Sequence, residues 1–215
     1  MIRNTPWMRT ILLFVTANMM MLLGGCATTY PLLPSSVGVP PFTTSPANYR
    51  YLIGPGDTFS IFVWRNPEVS SSVVVRPDGM ITTTLIEDLP VTGKTPTQVA
   101  REIEKALAKY IKDPMVTVMM TGFTGPYSEQ IRVVGEAARP QSLPYRQRMS
   151  LLDVMIAVGG LTTYAAGNQA TIVRMVDGKQ RQFTVHIDDL IKDGNISANV
   201  DMLPGDTLII PESWF

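Results

Sequence analysis

Ile53-Gly54-Pro55-Gly56-Asp57-Thr58-Phe59-Ser60-Ile61-Phe62-Val63-Trp64 is the stretch on which the fold turns. Pro55 sets φ and Gly56 accepts a positive φ, so residues 53–57 are turn chemistry. Beyond the turn, Phe59, Ile61 and Val63 alternate with Ser60, Phe62 and Trp64, the period of two expected of a strand. Working outward, residues 69–76 and 80–85 flank Pro77-Asp78-Gly79 and predict a hairpin. Thr95-Pro96-Thr97-Gln98 predicts a helix start, with Thr95 as cap, Pro96 at the first helical position and Gln98 closing a capping box. Val99, Ile103, Ala106, Leu107, Tyr110 and Ile111 make its apolar face, and Arg101, Glu102, Glu104, Lys105 and Lys109 a solvated one. Asp113-Pro114 stops it, and Val116, Val118 and Met120 alternate as a further strand.

Residues 121–129, with Gly122, Gly125 and Pro126, read as a boundary to a second unit. Ile131 to Val134 is a strand ended by Gly135. Ser150 caps a helix over residues 151–158, which Gly159-Gly160 ends. Residues 171–176 and 181–187 flank Asp177-Gly178 as a second hairpin, and residues 208–210 form the last strand, entered through Pro204-Gly205-Asp206. Pro-Gly-Asp-Thr thus occurs twice, at Pro55 and Pro204, each time as a tight turn feeding a strand. The predicted class is α+β.

The 215 residues carry 18 basic and 18 acidic side chains, one His and one Cys. That balance lacks the basic excess of a nucleic-acid binder. One cysteine excludes an internal disulfide or a Cys-based zinc site, and one histidine leaves no His cluster, so no metal or other cofactor is expected. The single cysteine has another reading. Arg3 and Arg9 precede an apolar run from Ile11 to Leu23, followed by Gly24, Gly25 and Cys26, the layout of a secretory signal over residues 1–25. The run is shorter than the roughly 20 apolar residues of a spanning helix and contains Thr16 and Asn18. Leu23-Gly24-Gly25-Cys26 resembles the bacterial lipobox, which implies cleavage before Cys26 and acylation of it. Two or more acyl chains give stable anchoring where one does not. Ala27, where the sorting pattern retains Asp in the inner membrane, implies the outer membrane. Removing Arg3 and Arg9 leaves 16 basic against 18 acidic residues, a formal charge of −2. Residues 26–48, with Pro31, Pro34, Pro40, Pro41 and Pro46 among Ser and Thr, read as an extended linker from the lipid.

Taken together, Gly54-Pro55-Gly56-Asp57, Arg76-Pro77-Asp78-Gly79 and the Thr95 helix resemble the export domain of the polysaccharide biosynthesis/export family, over residues 49–121. Val133-Val134-Gly135, Leu151-Leu152-Asp153-Val154, Gly159-Gly160 and Leu203-Pro204-Gly205-Asp206 resemble its β-grasp SLBB domain, over residues 129–215. Pro140 to Arg146 and Pro211 to Phe215 resemble the short members found with exosortase-linked exopolysaccharide loci. The resemblance implies a lipid-held periplasmic ring of identical subunits, or an adaptor, that hands on a polysaccharide, working with an inner-membrane chain-length regulator. Four residues follow Pro211 and reach about 14 Å at ~3.5 Å each, against a hydrocarbon core of about 30 Å. The expectation is therefore a separate outer-membrane β-barrel channel. A periplasmic sensor that binds a small ligand through its β-grasp domain is the alternative, and a glycan-modifying enzyme the third reading.

Individual residues favour the non-enzymatic readings. Alternation places His186 with Gln182 and Thr184 on a surface, away from Phe183, Val185 and Ile187. Asp57, Asp78, Asp177 and Asp206 sit in turns and are explained by turn formation, although a glycosidase pair needs only two carboxylates suitably spaced. No Gly-x-Ser-x-Gly elbow and no P-loop is present. Trp64, Tyr49 and Tyr51 could stack on sugars or serve as core or subunit contacts. Trp214 and Phe215 either pack the terminus or meet a subunit or partner.

Overall fold

Strand β1 (Thr58–Val63) buries Phe59, Ile61 and Val63 as its alternation requires, and it is the middle strand of a three-stranded antiparallel sheet. Its neighbours are β2 (Ser71–Val74) and β5 (Val116–Gly122), with a register shift beside Thr58. A computed structural model describes residues 49–214. The signal segment, the linker, the Leu23-Gly24-Gly25-Cys26 string and Phe215 lie outside the described residues.

The turn at Pro77-Asp78-Gly79 forms, with Gly79 N donating to Arg76 O (2.9 Å) and Arg76 N to Met80 O (3.0 Å). The hairpin expected around it does not. Strand β2 pairs with β1, while β3 (Met80–Ile81) pairs with β4 (Leu89–Pro90) in a separate two-stranded ribbon. Hydrogen-bonding capacity in β2 is taken by the longer partner, and turn chemistry by itself does not choose among partners.

Helix α1 (Pro96–Leu107) starts with the reciprocal capping box of Thr95 and Gln98. Val99, Ala100, Ile103 and Leu107 are buried against β1, β2 and β5, each large side chain contributing about 1.5–3 kcal/mol of burial. The helix ends before the expected Asp113-Pro114 stop, so Tyr110 falls beyond it and is exposed. The face expected to be merely solvated does more than face water. Arg101 Nη2 donates to Val116 O (3.1 Å) and Val116 N donates to Glu104 Oε1 (2.9 Å), which fastens α1 to the start of β5. Glu102 pairs with Lys94.

The second core lies under a five-stranded mixed sheet of order β7-β6-β10-β8-β9. Its strands are β6 (Ile131–Gly135), β7 (Ser142–Leu143), β8 (Ala170–Val176), β9 (Lys179–Val185) and β10 (Thr207–Ile210). The last strand in sequence, β10, is central: parallel to β6 and antiparallel to β8. The β8–β9 hairpin turns at Asp177 (φ 51°) and Gly178 (φ 72°), the two positive φ values of a type I′ turn. Helix α2 (Leu151–Val158), capped by Ser150 and ended by Gly159 at φ 80°, buries Leu151, Val154, Met155 and Val158 in this core. Strand β9 ends at Val185, two residues short of the expected span. His186 instead immediately precedes a five-residue helix α3 (Ile187–Ile191) that the alternation concealed, without a side-chain capping bond. His186 is exposed as expected, but Phe183, grouped with the inward set, is 45% exposed because β9 is an edge strand.

Candidate functional site

Both Pro-Gly-Asp-Thr strings form the same local device. Pro55-Gly56 and Pro204-Gly205 make turns in which glycine takes φ 86° and 82°. The aspartate amide then returns to the carbonyl three residues back, Asp57 N to Gly54 O and Asp206 N to Leu203 O, each at 3.2 Å. Each carboxylate also accepts from the amide of that residue, Gly54 N at 2.8 Å and Leu203 N at 2.7 Å. Each string then enters the strand at the centre of its sheet, β1 or β10.

Turn formation accounts for only part of what these acids do. Asp57 and Asp206 are wholly buried, and a buried carboxylate must be saturated by donors or charge. Asp57 Oδ1 accepts from the amides of Thr124 (2.6 Å) and Gly125 (2.8 Å), and Oδ2 from the Tyr51 hydroxyl (2.7 Å) and Gly54 N. The segment expected to be a boundary is therefore bound to the first turn, with Gly125, Pro126, Ser128, Glu129 and Gln130 buried. Gly54 is obligatory here, because a Cβ would come within 2.2 Å of the Gly125 carbonyl carbon. Asp206 is held by Arg174 through Nε (2.9 Å) and Nη2 (2.7 Å), a forked pair that neutralises it. Arg174 Nη2 also donates to Asp201 O (2.9 Å). By contrast Asp78 and Asp177 remain exposed turn residues, and Asp78 pairs with Arg76.

Tyr49 and Tyr51 are half-buried and engaged within the fold. Tyr49 packs edge-on against Tyr145 (4.9 Å between centroids), joining the first described residue to the second core. Burial first, and the negative charge of Glu129 next, push the Tyr49 hydroxyl up to about 12. Tyr51 lies edge-on to Phe123, and burial, then its bond to Asp57, raise its hydroxyl further still. Trp64 stays available at 55% exposure, with Phe62 beside it (6.4 Å). The β1–β5 register sets Phe62 and Ser60 opposite Thr117 and Met119, so Phe62, Trp64 and Met119 give this sheet an apolar outer face. Trp214 is 90% exposed and so does not pack the terminus against the described residues.

Saturated and out of reach of solvent, Asp57 and Asp206 are poorly placed to exchange protons with a substrate. Among the described residues no group of His, Cys, Asp and Glu could hold a metal ion, and no helix is long and apolar enough to cross a membrane. Sequence reasoning named both acids but missed their partners Tyr51, Thr124, Gly125 and Arg174. The doubled Pro-Gly-Asp string was the one signal of their importance.

Fold and site together define a mixed α+β scaffold of two cores, each organised around a buried aspartate that enters its central strand. Residues 45–121 match the polysaccharide biosynthesis/export protein family and residues 129–210 match the SLBB domain. The chain belongs to the polysaccharide export family. It is 28% identical over 187 residues to the EPS I polysaccharide export outer membrane protein EpsA of Ralstonia nicotianae, covering 75% of this chain and 47% of that protein. It is 31% identical over 96 residues to the exopolysaccharide production protein ExoF of Rhizobium meliloti, covering 43% of this chain and 22% of that one. The chain thus spans about half the length of EpsA and less of ExoF.

Proposed function

We propose that this chain is an outer-membrane lipoprotein of an exopolysaccharide or capsule export machine, forming a periplasmic ring or adaptor for polymer translocation without catalysis. The observation that carries the reading is the succession of an export domain and an SLBB domain in a chain related to EpsA. The Leu23-Gly24-Gly25-Cys26 string after an apolar run supports lipid attachment at Cys26, facing the periplasm. Residues 49–121 and 129–215 act as the two domains, and residues 26–48 as the tether. The outer face of β1 and β5, with Trp64, is the surface by which subunits meet in the ring, since exposed aromatics on a sheet face mark contacts. An inner-membrane co-polymerase and a separate outer-membrane channel complete the route.

Deletion of the gene should abolish delivery of extracellular polysaccharide while the cell still assembles the polymer. Normal delivery in the deletion strain would overturn the proposal. Cys26→Ser should leave the chain unlipidated and release it from the outer-membrane fraction.

A further inference from the structure

A cavity of about 450 Å³ opens beside α2, lined by Arg146, Arg148, Leu143, Met149, Ile156 and Asp153 among others. Its size is within the ~300–1,000 Å³ range of small-molecule sites. Three features single it out. First, both arginine side chains lack a carboxylate within ion-pair distance or a hydrogen-bond acceptor among the described residues. Arg174, Arg101 and Arg76, by contrast, all have acidic partners. Second, Arg148 is held at φ 62°, a left-handed conformation that a long side chain rarely adopts. Strain of this kind persists where the surrounding structure imposes it, often at binding sites. The neighbouring Met149 is buried, and its amide closes a turn onto Arg146 O (3.0 Å), so the loop is pinned on both sides of Arg148. Third, the wall is apolar: Leu143, Met149 and Ile156 line it, and Ile156, on the face of α2 away from its core, is 69% exposed.

Asp153 is the one acid on the lining among the described residues. Its Oδ2 is engaged by Ser150 N (2.9 Å) and Ser150 Oγ (2.7 Å) in the α2 capping box, so it is not the arginines' partner.

Unpaired guanidinium groups beside an apolar wall suit a ligand with a carboxylate on a ring that has a C–H face. Arginine's planar fork matches a carboxylate in two-point contact, and the wall takes the ring. We propose that this cavity is a binding subsite for an acidic sugar residue, such as a uronate of the exported polymer, with Arg146 and Arg148 recognising the carboxylate. The assignment rests on the export reading for the identity of the polymer, but its test does not.

The probe is oligogalacturonate, titrated into the purified full-length chain in detergent, with the fully methyl-esterified oligomer as a neutral control of the same backbone. The wild-type chain should bind the acid form at least tenfold more tightly than the ester, and the difference should shrink as salt rises. Arg146→Gln with Arg148→Gly should remove that preference while leaving the melting temperature unchanged or higher, because glycine adopts φ 62° without strain. Equal binding of acid and ester, no binding of either, or an unchanged preference in the double variant would each overturn the assignment. If binding fails while gene deletion still blocks delivery, the subsite falls and the export reading stands. If binding holds while deletion leaves delivery intact, the export reading falls instead.

Discussion

Asp57→Asn is the sharpest test of the buried acid, because it preserves size and shape and changes only the pattern of donors and acceptors. The wild-type carboxylate serves two donors at each oxygen: Thr124 N and Gly125 N at Oδ1, Gly54 N and the Tyr51 hydroxyl at Oδ2. An asparagine must present its NH₂ to one of these pairs. Turned toward Thr124 and Gly125, it leaves one part-buried and one buried amide facing a donor. Turned toward Gly54, it lets the Tyr51 hydroxyl rotate and accept, and only Gly54 N is orphaned. Even this cheaper arrangement leaves one buried N–H unsatisfied, at about 1–3 kcal/mol, and exchanges charge-assisted bonds for neutral ones. The expected loss is about 2–4 kcal/mol. At ~2–4 °C per kcal/mol for a chain of this size, the melting temperature should fall by about 4–16 °C. Thermal melts supply this number, and urea titration should show a lower midpoint at unchanged slope. Hydrogen exchange should quicken first at Gly54, the amide left without its acceptor. Asp78→Asn, at an exposed ion pair, is the control and should change stability by less than about 1 kcal/mol. If Asp57→Asn melts within about 1 °C of wild type, the argument from buried saturation is wrong. Impaired polymer processing at unchanged stability would point instead to a chemical role for the acid.

Three other outcomes are expected. Arg174→Met leaves Asp206 buried with Leu203 N as its remaining donor and should cost about 3–5 kcal/mol, read as a fall in the urea midpoint. Gly135→Ala places a Cβ 2.0 Å from Ile210 O at a residue with φ 89°, so about 3 kcal/mol or more should be lost and the β6–β10 pairing loosened, visible as faster exchange of the Ile210-bonded amide of Glu136. The chain should lose stability in alkali. Tyr49 and Tyr51 both have native hydroxyl values above the ordinary 10.0, so their stabilisation is full below 10.0 and is lost as pH rises toward about 12 for Tyr49 and beyond for Tyr51. Melts across this range should show the decline, and Tyr51→Phe should flatten it.

Features whose energetics are local are legible in the sequence itself. Thr95 and Ser150 are caps because their side chains bond amides three residues on, and the bonding partner is in the same string. Asp177-Gly178 and Pro55-Gly56 are turns for the same reason, since φ preference belongs to the residue itself. The alternation of Phe59, Ile61 and Val63 predicted its inward face correctly because β1 has one core to face. Phe183 was misread because the same alternation on an edge strand ends in solvent, and edge or centre is a property of the sheet.

What the chain determines by itself is the set of turns, caps, strand faces and the Leu23-Gly24-Gly25-Cys26 string, each of which is contained within a few neighbouring residues. Tertiary structure alone decided that Asp57 reaches amides 67 and 68 residues away, that Asp206 meets Arg174 across the sheet, and that β10 lies beside β6 rather than at an edge. It also decided that Arg146 and Arg148 line a cavity with no acidic partner among the described residues. The physical reason is one of range. A turn is selected by the torsions of its own residues, whereas a buried charge or a vacant one is defined by whatever distant segments the closed chain brings to it.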